Sequence, residues 1–130
     1  MAIRRFLRAC TVEPLAPDDW DIALSWNMTV PPGIRAALLM REIDADDVHS
    51  TLSAPVLVVH GRSDAIVLPS MAQHVIDICD TAQPAWYDTG HFPFWEGPDL
   101  FNQELEAFVG ALAVDATTST GGAREAALQS

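Results

Sequence analysis

The spacing of apolar positions changes once along the chain, near residue 54. Before that point apolar residues recur only at helical intervals. Asp18 reads as a cap ahead of Trp20, Ala23, Leu24 and Asn27. Val30-Pro31-Pro32-Gly33 breaks the chain, and a second helix is predicted from near Pro32, with Ile34, Ala37, Leu38 and Arg41 at helical spacing. Asp44 to Asp47 opens a third short helix through Val48 and Leu52. Residues 1–16 are mixed in character and carry no assigned element.

From Ala54-Pro55 onward the pattern is different. Val56-Leu57-Val58-Val59 is a run of four apolar, mostly β-branched residues bounded by Pro and Gly. It predicts a strand buried on both faces, as in parallel sheets flanked by helices. A loop follows from Arg62 to Pro69. Ser70 then caps a helix with Met71, Val75, Ile78 and Cys79 on its apolar face. Pro84 to Tyr87 predicts a second short strand, ending at Asp88-Thr89-Gly90-His91. Phe101, Leu105, Phe108, Val109 and Leu112 form the stripe of a last helix from about Asp99. Beyond Val114 the composition turns to Ala, Thr, Ser and Gly, and a flexible tail is expected.

The fold class is therefore α/β, with a helical segment over residues 1–53, an α/β segment over 54–113 and a tail over 114–130. Two parallel strands make a poor sheet on their own. Burying Val56 to Val59 is worth roughly 6–12 kcal/mol at ~1.5–3 kcal/mol each. That equals the stability of a whole ordinary domain, so the pattern anticipates further strands upstream.

Composition narrows the partners. Apolar residues make up 49% of the chain and charged residues 19%, as in folded domains. The net charge of −11 argues against nucleic acid and anionic membrane surfaces as partners. No stretch reaches the ~20 apolar residues of a membrane span. Cys10 and Cys79 have no metal-ligand spacing and form no disulfide framework; reduced thiols and a cytoplasmic location are expected. An open sheet edge makes self-association a further expectation.

Two loops carry the candidate chemistry. Each leaves the C-terminal end of a predicted strand, where open α/β sheets place their sites. One is His60-Gly61-Arg62-Ser63-Asp64. The other is Gly90-His91-Phe92-Pro93-Phe94-Trp95-Glu96-Gly97-Pro98. A carboxylate on the first and an imidazole on the second suit acid–base work at neutral pH. Asp88 is a rival acid, but it stands only three residues from His91. His60 reads as a strand-end residue, His49 and His74 as exposed helix positions, and Glu96 as a structural acid. Trp20, Trp26, Met28 and Met40 fit either an apolar pocket or a core.

The run Ala54 to Asp64 resembles the α/β-hydrolase strand that ends in the triad acid. Gly90 to Pro98, with Phe101 and Phe108, resembles that family's histidine loop and final helix. Residues 14–52 are loosely similar to the helical cap many members insert. The resemblance implies a partial α/β-hydrolase fold: a cap remnant over residues 1–53, the last two parallel strands and their flanking helices. It makes Asp64 and His91 the catalytic acid and base. It implies a small-molecule substrate, mostly an ester and in other members an epoxide, haloalkane, amide or C–C bond. It implies no cofactor and no metal.

One part of the family pattern is missing. The nucleophile belongs on a G-x-S-x-G elbow that precedes the acid. The only similar run is Gly61-Arg62-Ser63-Asp64-Ala65, and Ile66 to Pro69 separate it from the next helix. Ser63 is therefore a poor nucleophile, and the nucleophile segment is expected to be absent from this chain. Alone, the chain is expected to be inactive. The alternative is a non-catalytic remnant or interaction module that needs a partner to fold.

Overall fold

The computed structural model describes the backbone of residues 2–127 and the side chains through residue 113. Its contacts divide it into two compact units, residues 1–96 and 97–130.

The first unit begins with a helix not among those expected, α1 (Ala2–Ala9). It buries Leu7, and Cys10 just beyond it is fully buried too. Helices α2 (Pro17–Met28), α3 (Pro32–Leu39) and α4 (Asp46–Ser50) follow as expected. The starts of α2 and α3 use proline rather than side-chain caps, so Asp18 is not the cap expected for α2. Ala16 and Pro31 are the N-cap residues of α2 and α3, and Pro17 and Pro32 fill the first helical position. Proline fits there because its fixed φ suits the helix and its missing N–H would have no partner anyway. Asp18 thus lies in the first turn, where its charge favours the positive end of the helix.

Strand β1 (Val56–Gly61) pairs in parallel with β2 (Ala82–Tyr87), with α5 (Pro69–Ile78) as the crossover. The register aligns Val58 with Pro84 and His60 with Trp86. Val56 N–H donates to Thr81 O at one end, and Arg62 N–H donates to Tyr87 O at the other. By that alternation residues 81, 83, 85 and 87 turn their backbone groups toward β1. Pro84 has its missing N–H on the outer side, so β2 accommodates it as an edge strand.

Three expectations need correction here, two on α5 and one on β1. Ser70 does not cap α5; Leu68 is the N-cap residue and Pro69 takes the first helical position. On the expected apolar face of α5, Val75, Ile78 and Cys79 do turn inward, and only Met71 does not. Ala72 and Cys79 are buried and Val75, Ile76 and Ile78 half-buried, whereas Met71 is exposed. The four apolar residues of β1 are only half-buried. The helix α5 packs against the sheet, and β1 has a single strand neighbour among the described residues.

A short helix, α6 (Pro93–Glu96), closes the first unit. The second unit is α7 (Pro98–Ala127), in which Phe101, Phe108 and Leu112 are half-buried and Leu105 and Val109 exposed. Its helix continues through residues 114–127, which the sequence assigns to a tail; residues 128–130 lie outside the described residues. No helix among the described residues is long and apolar enough to cross a membrane.

Candidate functional site

The backbone turn after β1 aims Asp64 inward. Asp64 N–H donates to Gly61 O at 3.3 Å, and Ser63 N–H donates to Thr89 O at 3.0 Å. The turn is therefore tied to the end of the neighbouring strand. Gly61 is required for that approach, since a Cβ there would collide with the carbonyl oxygens of Gly90 and Thr89. The residue that sets the acid in place is thus a glycine that lets two strand ends touch.

Asp64 is 6% exposed and has three close donors. Its Oδ1 accepts from the backbone N–H groups of Ile66 at 2.8 Å and Val67 at 3.0 Å. Its Oδ2 lies 2.8 Å from His91 Nδ1. Burial works against the charged form, but the His91 hydrogen bond and the amides of Val67 and Ile66 outweigh it, so the carboxyl is held below its ordinary range. An ionised carboxylate facing Nδ1 selects the tautomer with its proton on that nitrogen. Nε2 is then the ring nitrogen turned away from the acid, and in that tautomer it can accept a proton.

His91 stands on the loop after β2 and is half-buried. Its backbone N–H donates to Cys10 O at 2.6 Å. Its ring lies beside Phe92, with centroids 5.5 Å apart, and Phe92 in turn stacks with Trp95 at 6.1 Å. From α2, Trp26 approaches Trp95 at 5.8 Å. The histidine loop therefore has an aromatic side to which the helical segment contributes.

The structure brings Asp64 and His91 together, from sequence positions 27 residues apart. It removes Asp88 from contention, because that side chain is 96% exposed and pairs with Arg62 Nε at 3.5 Å. Ser63 is exposed, and residues 65–68 are non-helical, so no strand–elbow–helix forms around it. His74 is exposed as expected and lies 2.9 Å from Asp46, joining α5 to α4. His49 is half-buried rather than exposed. Among the four candidate pocket residues, Met28 lines a cavity of about 650 Å³ with Ile3, Leu24, Val30 and Leu39. Trp20 lines a separate cavity of about 350 Å³ beside Leu7 and Leu15. Met40 is 83% exposed and belongs to neither.

Sequence reading missed two neighbours of the pair. His60 Nε2 lies 3.7 Å from Asp64 Oδ2, while its Nδ1 is 2.9 Å from Gly61 O. The tight turn at Gly61 folds Asp64 back toward the strand end, which is why a residue four positions earlier meets it. Cys10 is the other. Burial pushes its thiol up to about 11, with the Asp64 and Glu96 carboxylates adding to the rise. Nothing in the spacing of residues 1–16 connects Cys10 to a site some 80 residues later.

No protein-family model and no curated protein sequence matches the chain. Solved structures do. An esterase from Rhodococcus sp. ECU1013 aligns at TM-score 0.79 and 29% identity, over 85% of this chain and 41% of its own. An esterase from Exiguobacterium antarcticum aligns at TM-score 0.76 and 15% identity, over 83% and 41%. A meta-cleavage product hydrolase from Pseudomonas fluorescens IP01 aligns at TM-score 0.57 and 24% identity, over 72% and 39%. The chain thus spans about two-fifths of the length of the structures it matches. With its two parallel strands joined by a crossover helix, the chain has the fold of the C-terminal part of an α/β-hydrolase.

Proposed function

We propose that Asp64 and His91 are the acid and base of a nucleophile–acid–base triad in an ester-hydrolysing enzyme whose nucleophile lies outside these 130 residues. One observation carries the reading. His91 Nδ1 stands 2.8 Å from Asp64 Oδ2, at the C-terminal ends of two adjacent parallel strands. The similarity to the Rhodococcus esterase supports an ester as the substrate class.

In this scheme His91 Nε2 accepts the proton of the nucleophile's hydroxyl as that oxygen attacks the ester carbonyl. The imidazolium so formed is stabilised by ionised Asp64. His91 returns the proton to the leaving alkoxide, and the acyl group stays on the nucleophile. Water then gives a proton to His91 and attacks the acyl carbon, which releases the carboxylic acid and restores the hydroxyl. The donors that hold the oxyanion come from the same outside segment as the nucleophile. The scheme calls for no metal or organic cofactor.

The test is complementation. The chain is joined to the N-terminal segment of a similar esterase and assayed with p-nitrophenyl esters. Activity should appear and should fall by several orders of magnitude in both Asp64→Ala and His91→Ala. Full activity in His91→Ala would overturn the assignment. The half-exposed side chains of β1 favour a second reading, a non-catalytic module completed by a partner. A folded but inactive complemented protein would select it.

A further inference from the structure

Glu96 makes a pair of contacts that its position in the sequence does not suggest. One carboxylate oxygen, Oε1, accepts from the backbone N–H of Gly90 at 2.7 Å. The other, Oε2, accepts from the backbone N–H of Val12 at 2.7 Å, across 84 residues of sequence. Both bonds are short and have a charged acceptor, which marks the stronger class of hydrogen bond. One side chain thus ties the residue before His91 to the loop between α1 and α2.

Two further contacts converge on the same place. His91 N–H donates to Cys10 O at 2.6 Å. Gly90 lies so close to that segment that a Cβ on it would come within 2.6 Å of Cys10 O and 3.1 Å of the Thr11 Cα. Residues 10–12 and 90–91 therefore form one stitched patch of backbone, with Glu96 bonded to both sides. Because the peptide of His91 is fixed in this patch, its Cα–Cβ bond is fixed as well, and the ring reaches Asp64 from that set origin.

We propose that Glu96 is a positioning residue for His91, through which the loop at residues 10–12 holds the imidazole against Asp64. The proposal rests on the reading of His91 as the base. Glu96 itself reaches only backbone amides and moves no proton. Residues 10–12 thus reach His91 by two links, directly from the Cys10 carbonyl and through Glu96 and Gly90.

The experiment is NMR of the whole chain and its Glu96→Gln variant, with Glu96→Asp as a second variant. Glutamine keeps the size but has one accepting oxygen, so only one amide can stay bonded. The readouts are the exchange rates of the Val12, Gly90 and His91 amides and the downfield signal of the His91 Nδ1 proton. Val58 in the sheet is the control. In Glu96→Gln, at least one of the Val12 and Gly90 amides should exchange more than 10-fold faster. The His91 Nδ1 proton should broaden or move upfield, while Val58 stays unchanged. Glu96→Asp keeps both oxygens on a shorter arm and should give a partial loss. If the His91 Nδ1 signal is the same in both variants although the amides are freed, Glu96 is a loop staple and the proposal fails. If the wild-type chain shows no such signal while the Val12 and Gly90 amides respond, the Asp64–His91 pairing fails instead.

Discussion

Asp64 and His91 meet at 2.8 Å because the parallel register brings Gly61 opposite Tyr87 and leaves each residue on the loop just beyond. Only one face of the imidazole edge is committed to the acid. This arrangement makes the electronic state of Asp64 a control on the tautomer of His91.

Asp64→Asn tests that control in the complemented enzyme. The asparagine carbonyl can keep the Ile66 and Val67 amides, so its NH₂ faces His91 and favours the proton on Nε2. That is the wrong tautomer for a base. We expect kcat/KM for p-nitrophenyl esters to fall by about 10⁴, the size of loss known when a triad carboxylate is amidated. Circular dichroism should report an unchanged fold. A loss under tenfold would remove Asp64 from the triad.

Stability should depend on the same carboxyl. An unfolded aspartate titrates near ~3.9, and folded Asp64 is held below that by His91 and two amides against the opposing effect of burial. A depressed folded value means stabilisation that is complete above the unfolded value and is lost as pH falls toward the folded one. Urea midpoints measured from pH 6 to pH 2 should therefore fall faster with acid for the wild type than for Asp64→Asn. Parallel curves would contradict the direction of the shift.

Cys10 gives a second pH window with the opposite slope. The folded thiol is raised to about 11, above an unfolded thiol. Its stabilising effect is complete below the unfolded value near ~8.5 and is lost as pH rises toward 11. The residue has no exposed surface, so Ellman's reagent at pH 8 should react only on unfolding. Rapid labelling of native Cys10 would show that the patch around residues 10–12 opens.

Glycine substitutions separate close approach from helix propensity. Gly90→Ala places a methyl 2.6 Å from Cys10 O, a backbone atom that cannot swing aside. Overpacking of this kind costs about 3 kcal/mol or more. Gly110 in α7 has nothing within 4 Å, so Gly110→Ala should be neutral or stabilising by up to about 1 kcal/mol. Thermal melts of both variants would decide. Equal effects would mean that the contact of residues 90 and 10 is not tight.

The unpaired side of β1 predicts behaviour in solution. Its edge is open among the described residues and its valines are half-exposed. The chain alone should associate with rising concentration in sedimentation and should bind a hydrophobic dye. A monodisperse monomer over a hundredfold concentration range would show that this edge is covered.

Periodicity located β1, β2, α5 and α7 because each contrast is local. Four apolar residues between Pro55 and Gly61 permit little but a strand. The pairing of Asp64 with His91 was legible for a related reason. Both residues follow strand ends, and a parallel β–α–β unit places such ends side by side. What stayed hidden depends on distant segments. Helix α1 is the exception: Ile3, Phe6, Leu7 and Cys10 share one helical face with Arg4, Arg5 and Arg8 opposite, but the stripe lasts only about two turns before Pro14 and is easily passed over. Glu96 looked like one more acid on a loop because its partner is the amide of Val12, and amides are invisible in a sequence. On α5 the expected face holds at Val75, Ile78 and Cys79 and fails only at Met71, a large apolar residue that stays exposed while the small Ala72 packs inside.

The separations of these contacts also set an order in time. Asp64 and His91 are 27 residues apart, within one β1–α5–β2 unit, whereas Val12 and Glu96 are 84 apart. Closing the longer loop costs about 1 kcal/mol more in chain entropy. Local contacts also form sooner than distant ones in small proteins. Acid and base are therefore expected to find each other on the nascent sheet first, with the loop at residues 10–12 fastened over them afterwards. Pulse-labelling exchange during refolding would resolve the two events. Protection at Val12 arising before protection at Ile66 would reverse the order.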